Sequence, residues 1–495
     1  MLWSMSDNPI AVTHLQNRDR PSFWTEHLLL SGLPLLLALG FGLLLAVLIV
    51  KEAWLFAVPV VFLVPMAVLI ARYPFATIAI WMIVMPWFPF AGIYKYVHFT
   101  FHWLLIPLGL GIILLSRMLR LKKHNPAQPG PAELAMVAFA VVGVTSIFVT
   151  GNNWKWILTF GQRFLVPFMA YWLIQLANSR GRDLKRLVPI MLLLTLAECV
   201  IGLVSWFAPH ALPSIWHTAV VGYRVVGTFG QPVAYACVLL LFMVFFYHDG
   251  MSRGKGSASY LQILTCGLAM VCIFFTFTRG VWLVGAIVLL ALVYLYPKRT
   301  VLLILAVVLT MALLLSGVLA REFTYAADRL ERSEEDTKAR AVLANAGLHM
   351  FYAKPVFGWG FGNYDRYDWK FLERVGDTDP TEWQIEKGTS HNTFLTVLAE
   401  MGAVGFFLLY FPVIWWLGLT IKALPRLPKD GFWSRRLLIA MWVCIGAQLL
   451  LWQDIDVRFF SYCLTLFWIN LGFIANMVRG CLGPDCTGIS LLHSA

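Results

Sequence analysis

Apolar runs long enough to cross a bilayer recur along almost the whole chain, and no other feature constrains its fold as much. Runs such as 28–50, 132–150, 187–207, 232–248 and 394–417 approach or exceed the ~20 residues that a helix needs to cross a hydrocarbon core of about 30 Å. Lipid offers no partner for a backbone N–H or C=O, so such runs must close their hydrogen bonds internally, as helices. Composition agrees: 60% of the residues are hydrophobic and 13% charged, against roughly 25% charged in a soluble domain. The expectation is an all-α polytopic membrane protein.

Polar breaks place the spans near 28–50, 54–71, 75–92, 100–116, 132–150, 157–177, 187–207, 232–248, 261–278, 280–296, 300–320, 394–417, 437–453 and 459–476. That is about 12–14 transmembrane helices, the tightly spaced early pairs leaving the range open. The first run is too long for a signal-peptide core and no small-residue cleavage site follows it, so it is expected to be an uncleaved span. The implied organisation is a cytoplasmic tail at 1–27, a helix bundle at 28–320, an external loop at 321–390, further membrane helices at 391–476 and a cytoplasmic tail at 477–495.

The formal charge of +12 raises the question of a nucleic-acid partner, which its distribution answers. The loop 321–390 holds 10 Lys/Arg and 13 Asp/Glu, leaving +15 on the short loops and tails. Arg117 to Lys123, Arg180 to Arg186, Arg253 and Lys255, Lys298 and Arg299, and Lys422 to Arg436 fall in alternate loops. That pattern is the positive-inside signature and assigns those loops to the cytoplasm. The charge therefore reports topology, and no nucleic-acid partner is expected. The opposite face receives 152–155, 208–231, Arg279, 321–390 and 454–458. Six cysteines lie within spans as small apolar residues. Cys481 and Cys486 are assigned to the tail and make no four-ligand metal set by themselves.

Candidate chemistry gathers on the external face. His391 opens the run 394–417, where an imidazole of ordinary pKa about 6.5 can accept a proton. From position alone it could equally be an interfacial cap shared with Asn392. Glu400 is expected deeper in that span, at a cost of roughly 2.5–3.5 kcal/mol unless paired or facing a polar cavity. Gly402 and Gly405 read as helix-packing positions. Arg279 stands in a turn of almost no length between two apolar runs, free either to snorkel to headgroups or to bind a ligand. Arg224, Arg163 and Arg340 fall on the same face, and several guanidiniums together could clamp a diphosphate.

Other signals are weaker. Residues 337–352 read as an amphipathic helix with Ala341, Ala344, Leu348 and Phe351 on one face, ended by Pro355 and a glycine-rich turn through Gly358, Gly360 and Gly362. That turn follows no strand and lacks a lysine-serine pair, so as a phosphate loop it is a weak signal. Asp454/Asp456 and Asp377/Asp379 have carboxylate spacings that could hold a divalent ion, but the first pair could equally balance Arg458 and the second a solvated loop. No metal site is expected. Glu198, mid-span, is either satisfied by a neighbouring helix or a site residue.

Taken together, Ser390-His391-Asn392 through Glu400-x-Gly402-x-x-Gly405, preceded by Arg340 and the run from Lys354 to Asn363, resemble the signature region of the O-antigen ligase and polymerase superfamily of bacterial envelopes. Thr278-Arg279-Gly280 and Arg224 to Phe229 with Pro232 resemble its two upstream elements. The resemblance implies a GT-C-like, inverting, metal-independent glycosyltransferase with one large external loop, acting at the outer face of the inner membrane. Its donor would be a polyprenyl-diphosphate-linked glycan, its acceptor a lipid core, a protein or a second lipid-linked glycan. By the same resemblance Arg279 and Arg224 would hold the donor diphosphate and His391 would activate or orient the acceptor hydroxyl, with Arg340, Arg163, Glu400 and Asn392 in support. The energy is already in the donor phosphoester, so no cofactor or nucleotide is implied. The alternative is a transporter or flippase for lipid-linked glycans, which would also use external arginines and an intramembrane acid such as Glu198.

Overall fold

A computed structural model describes residues 75–87, 95–119, 129–179, 181–212, 224–253, 256–297, 333–372 and 390–482, with a few isolated positions besides. The chain divides into two units, Met1–Arg72 and Tyr73–Ala495, and every element named below belongs to the second. The expected spans 28–50, most of 54–71 and most of 300–320, with Asp377, Asp379 and Cys486, lie outside the described residues.

All regular structure among the described residues is helical, as the apolar runs require. In chain order it comprises α1 (Ala76–Val84), α2 (Lys95–Met118), α3 (Pro131–Val149), α4 (Trp154–Leu176), α5 (Gly181–Phe207) and α6 (Pro232–Arg253). Then come α7 (Ser257–Phe274), α8 (Arg279–Leu295), α9 (Ser333–Ala353), α10 (Thr393–Ala423), α11 (Arg435–Leu451) and α12 (Ser461–Leu482). Six of these are long and apolar enough to span a membrane: α3, α4, α5, α6, α10 with its 3-10 extension, and α12. The helix ends follow local chemistry. Asn153 and Asn392 cap α4 and α10, accepting from the N–H groups of Lys155 and Leu395 at 3.1 Å. Pro131 and Pro232 open α3 and α6, where the missing proline N–H costs nothing.

Two helices are buried almost all round. Each residue of α6 from Pro232 to Gly250 is shielded, as is nearly all of α12. Both are apolar on every side, the pattern of a helix enclosed by others. Around them, α3, α5 and α10 keep an exposed apolar face.

Loops expected to share the cytoplasmic side do share one end of the bundle. Asn476 Nδ2 donates to Ser179 O at 2.8 Å, His248 Nε2 meets Phe432 O at 2.7 Å, and Arg426 Nη1 donates to Cys481 O at 3.5 Å. Lys185 lies over the Phe432 ring and Arg436 over Tyr296. One boundary moves: α12 continues to Leu482, so Cys481 is a buried residue of its last turn and not part of a tail.

Candidate functional site

Two stretches of irregular backbone enter the opposite end of the bundle, and they position the candidate residues. The first is Arg224–Phe229. Val225 N donates to Phe275 O at 3.1 Å, and the segment runs down to Glu198, whose carboxylate accepts from Thr228 N at 3.0 Å and Thr228 Oγ1 at 2.6 Å. Tyr235 donates to the Glu198 carbonyl at 3.1 Å. Non-helical backbone at this depth is tolerated only where protein satisfies it, and Glu198 does so. Its partner is this loop and not a neighbouring helix. The segment leaves Arg224 at its head with Nε buried and, among the described residues, without a hydrogen-bond partner.

The second stretch is Lys354–Gly362, and here α10 makes room for it. Gly402, inside α10, has φ +64° and interrupts the helix. The freed groups pair with the glycine turn: Trp359 N donates to Ala399 O at 3.0 Å and Gly360 N to Glu400 O at 2.7 Å. In return Ala403 N donates to Pro355 O at 2.8 Å and Val404 N to Val356 O at 3.1 Å. A side chain at Gly402 would collide with the Val356 carbonyl as well as strain the backbone. The sequence reads Gly402 as a packing position; it is the hinge of a broken helix.

That break changes the place of Glu400. Phe361 N donates to Ser146 Oγ at 3.2 Å and Asn152 Nδ2 to Phe361 O at 2.9 Å, so the turn lies level with the end of α3. Glu400 is therefore at the rim of the bundle, not turns inside a span. It is buried there, paired with Arg458 Nη1 at 2.5 Å, and it accepts from Tyr364 N at 3.2 Å. Arg458 also meets Asp456 at 2.6 Å. Burial pulls the Arg458 guanidinium toward neutrality, but Asp456 and Glu400 outweigh it and raise its pKa. Removing one member of such a group leaves an unpaired buried charge, at about 3–5 kcal/mol. Arg163, in a π-helical turn of α4, stacks on Phe459 at 4.1 Å and has no ion pair among the described residues. Arg163 lies within the field of this group, near the charges of Arg458, Asp456 and Glu400, with Asp365 beside them.

His391 stands at the other side of the same loop. It has φ +53°, the left-handed region that an L-residue enters at a cost of order 1–3 kcal/mol and that clusters at functional sites. Ser390 Oγ fixes the flanks, donating at 2.8 Å to Asn392 O and accepting from Asn392 N at 3.2 Å. The Asn392 side chain caps α10. Thr393 then ties the helix start to the loop between α11 and α12. Its N–H donates to Trp452 O at 2.9 Å, its hydroxyl donates to Ile455 O at 2.8 Å, and it accepts from Val457 N at 3.0 Å.

Asp454 belongs to that loop and draws in the remaining arginines. It contacts Gly280, directly after the exposed Arg279 that opens α8, and it pairs with Arg340 at 3.6 Å. This long, half-exposed pair is worth at most about 1 kcal/mol, so an incoming anion can displace it. Arg340 lies on α9, but the buried face of α9 is Val342, Leu343, Ala346 and Met350, one position away from the expected Ala341, Ala344, Leu348 and Phe351. Gly347 lies on the same face, toward Leu395 and Tyr364. Tyr364 OH fixes the register through Leu343 O at 2.9 Å.

Asp454 and Asp456 thus face different arginines. Arg224, Arg279, Arg340, His391 and Asn392 all stand at one end of the bundle, joined through the 452–458 loop or the Val225–Phe275 link. Arg163 and Glu400 belong instead to the Arg458 group. Thr393 and the Arg458–Glu400 pair are what the sequence did not reveal. Their one signal was Arg458 beside an Asp pair at the opening of an apolar run.

Fold and site together define an all-α polytopic membrane protein that collects guanidiniums and a histidine at one end of its bundle, beside two re-entrant loops. Residues 264–410, from within α7 through the glycine turn to the middle of α10, match the O-antigen ligase family. This match supports the O-antigen ligase and polymerase superfamily, whose members perform glycan transfer in envelope biosynthesis. No curated protein matches the chain.

Proposed function

We propose that this protein transfers a glycan from a polyprenyl-diphosphate carrier to an acceptor hydroxyl, at the external face of the inner membrane. The acceptor oxygen attacks the anomeric carbon from the face opposite the diphosphate. His391 takes the hydroxyl proton, the C–O bond to the diphosphate breaks, and the departing charge falls to Arg279 and Arg224, with Arg340 released from Asp454 to join them. In-line displacement inverts the anomeric centre. Fixed cations aimed at the leaving group supply several kcal/mol of barrier lowering, about 2.7–4 kcal/mol for one well-placed donor. No metal is needed for this charge balance.

The observation that carries the proposal is the linkage of α10, just after His391, to the 452–458 loop, whose Asp454 touches the Arg279–Gly280 turn and pairs with Arg340. The positive-inside pattern supports the orientation, and the family match supports the reaction class. We assign acceptor specificity to the sequence segments 321–390 and 208–231. The test is purified protein in liposomes with a lipid-linked oligosaccharide and an acceptor. A new glycosidic product supports the proposal; movement of unchanged lipid across the bilayer, without product, would identify a flippase.

A further inference from the structure

The glycine turn has an apolar outer edge that the site does not use. Val356 and Phe357 are 53% and 60% exposed, and Tyr352 on the last turn of α9 is similarly open. Beneath them α10 carries an exposed apolar stripe, Ala403, Phe407, Ile414, Leu417 and Ile421, at the three-to-four spacing of one helix face. In a membrane-spanning helix such a stripe faces acyl chains. Its outer limit is Ala403, and this residue and Val404 donate their N–H groups to Pro355 and Val356. The turn therefore sits on the broken end of the lipid-facing stripe and continues it.

The neighbouring helix marks the same level. Phe148 and Val149, the last residues of α3, are exposed, and Ser146 of that helix holds Phe361 of the turn. On the polar side Lys354 lies over the Trp359 ring at 4.0 Å. Apolar side chains below with an aromatic residue and a lysine above are the pattern of an element seated among lipid headgroups.

We infer that the Pro355–Phe357 turn is an interfacial foot, with Val356 and Phe357 inserted at the headgroup–acyl boundary of the bilayer that surrounds α3 and α10. Lipid is preferred to a protein partner because the patch is continuous with the lipid-facing stripe. This inference is independent of the chemistry at His391. Through the Gly360–Glu400 bond the foot also holds the rim of the site at a fixed height on the membrane.

The test is a nitroxide label at Phe357→Cys, and separately at Val356→Cys, in liposomes, with Cys486→Ser in the background; the other seven cysteines are buried. Asp430→Cys, in an exposed loop at the opposite end, is the aqueous control. The inference expects collisions with oxygen to exceed those with a water-soluble nickel chelate at 356, 357 or both, and the reverse at 430. Nickel access at both 356 and 357 matching that at 430 would overturn it. So would labels shielded from both relaxants, which would mean that another protein surface covers the turn.

Discussion

Each end of the bundle buries a carboxylate against an arginine, and the two groups differ in what surrounds them. At the arginine-rich end Glu133 is bonded by Arg479 at 2.7 Å, Tyr171 OH at 2.5 Å and Gly130 N at 2.8 Å. Arg479 also reaches Gln175 at 2.7 Å and lies over Trp416. That group is closed, tying α3, α4, α10 and α12 together. At the His391 end the Arg458 group is equally closed, but around it stand Arg224 with an orphaned Nε, the exposed Arg279, and Arg340 in a long pair. The difference teaches how to separate structure from site: closed charge groups hold helices, whereas an exposed cation, a cation in a long pair and one with an orphaned donor are placed to meet an anion.

Substitutions can break this comparison, the largest effect coming first. Arg458→Ala should strand Glu400 and Asp456 at a cost of about 3–5 kcal/mol, read as thermal unfolding in one detergent. Arg479→Ala should cost less, because Tyr171 and Gly130 still serve Glu133. Equal losses would mean that the two groups are equivalent. Gly402→Ala should destabilise by roughly 1–3 kcal/mol through strain and collision with Val356. Gly418→Ala, in the same helix with open space around it, should be neutral or stabilising by about 0.5–1 kcal/mol.

Such contrasts also show what could be read from sequence. Apolar runs and positive loops located the helices and sorted their ends, because burial in lipid and the charge rule act on local composition. The gathering of Arg224, Arg279, Arg340 and His391 at one end of the bundle was legible for the same reason. The break at Gly402 was not: a glycine in an apolar run looks the same whether it packs against a helix or yields to a docked turn. Nor was the division of Asp454 from Asp456, which depends on contacts across 58 residues to Glu400 and from Arg340.

Smaller effects sharpen the comparison within the site end. Arg279→Ala and Arg224→Ala should each lower kcat/KM about 10-fold or more, equivalent to about 1.4 kcal/mol. Arg163→Ala should cost less activity than either, since Arg163 lies within the field of the Arg458 group; the opposite order would return Arg163 to the diphosphate clamp. The smallest effect concerns Asp368, whose carboxyl is pushed up to about 6 by burial. The folded form then holds this proton more tightly than an ordinary carboxyl of pKa about 3.9. Its stabilising effect is complete below that ordinary value and is lost as pH rises toward 6. Hydrogen exchange across 364–372 should quicken over that window, and Asp368→Asn should flatten the slope.

The most direct measurement is transfer by His391→Ala in liposomes, with Arg479→Ala as the comparison and thermal unfolding recorded for both. The account predicts an inserted, folded His391→Ala protein that forms no glycosidic product from a lipid-linked donor, while Arg479→Ala still forms it. Undiminished product from His391→Ala would contradict the central claim that this histidine is the base.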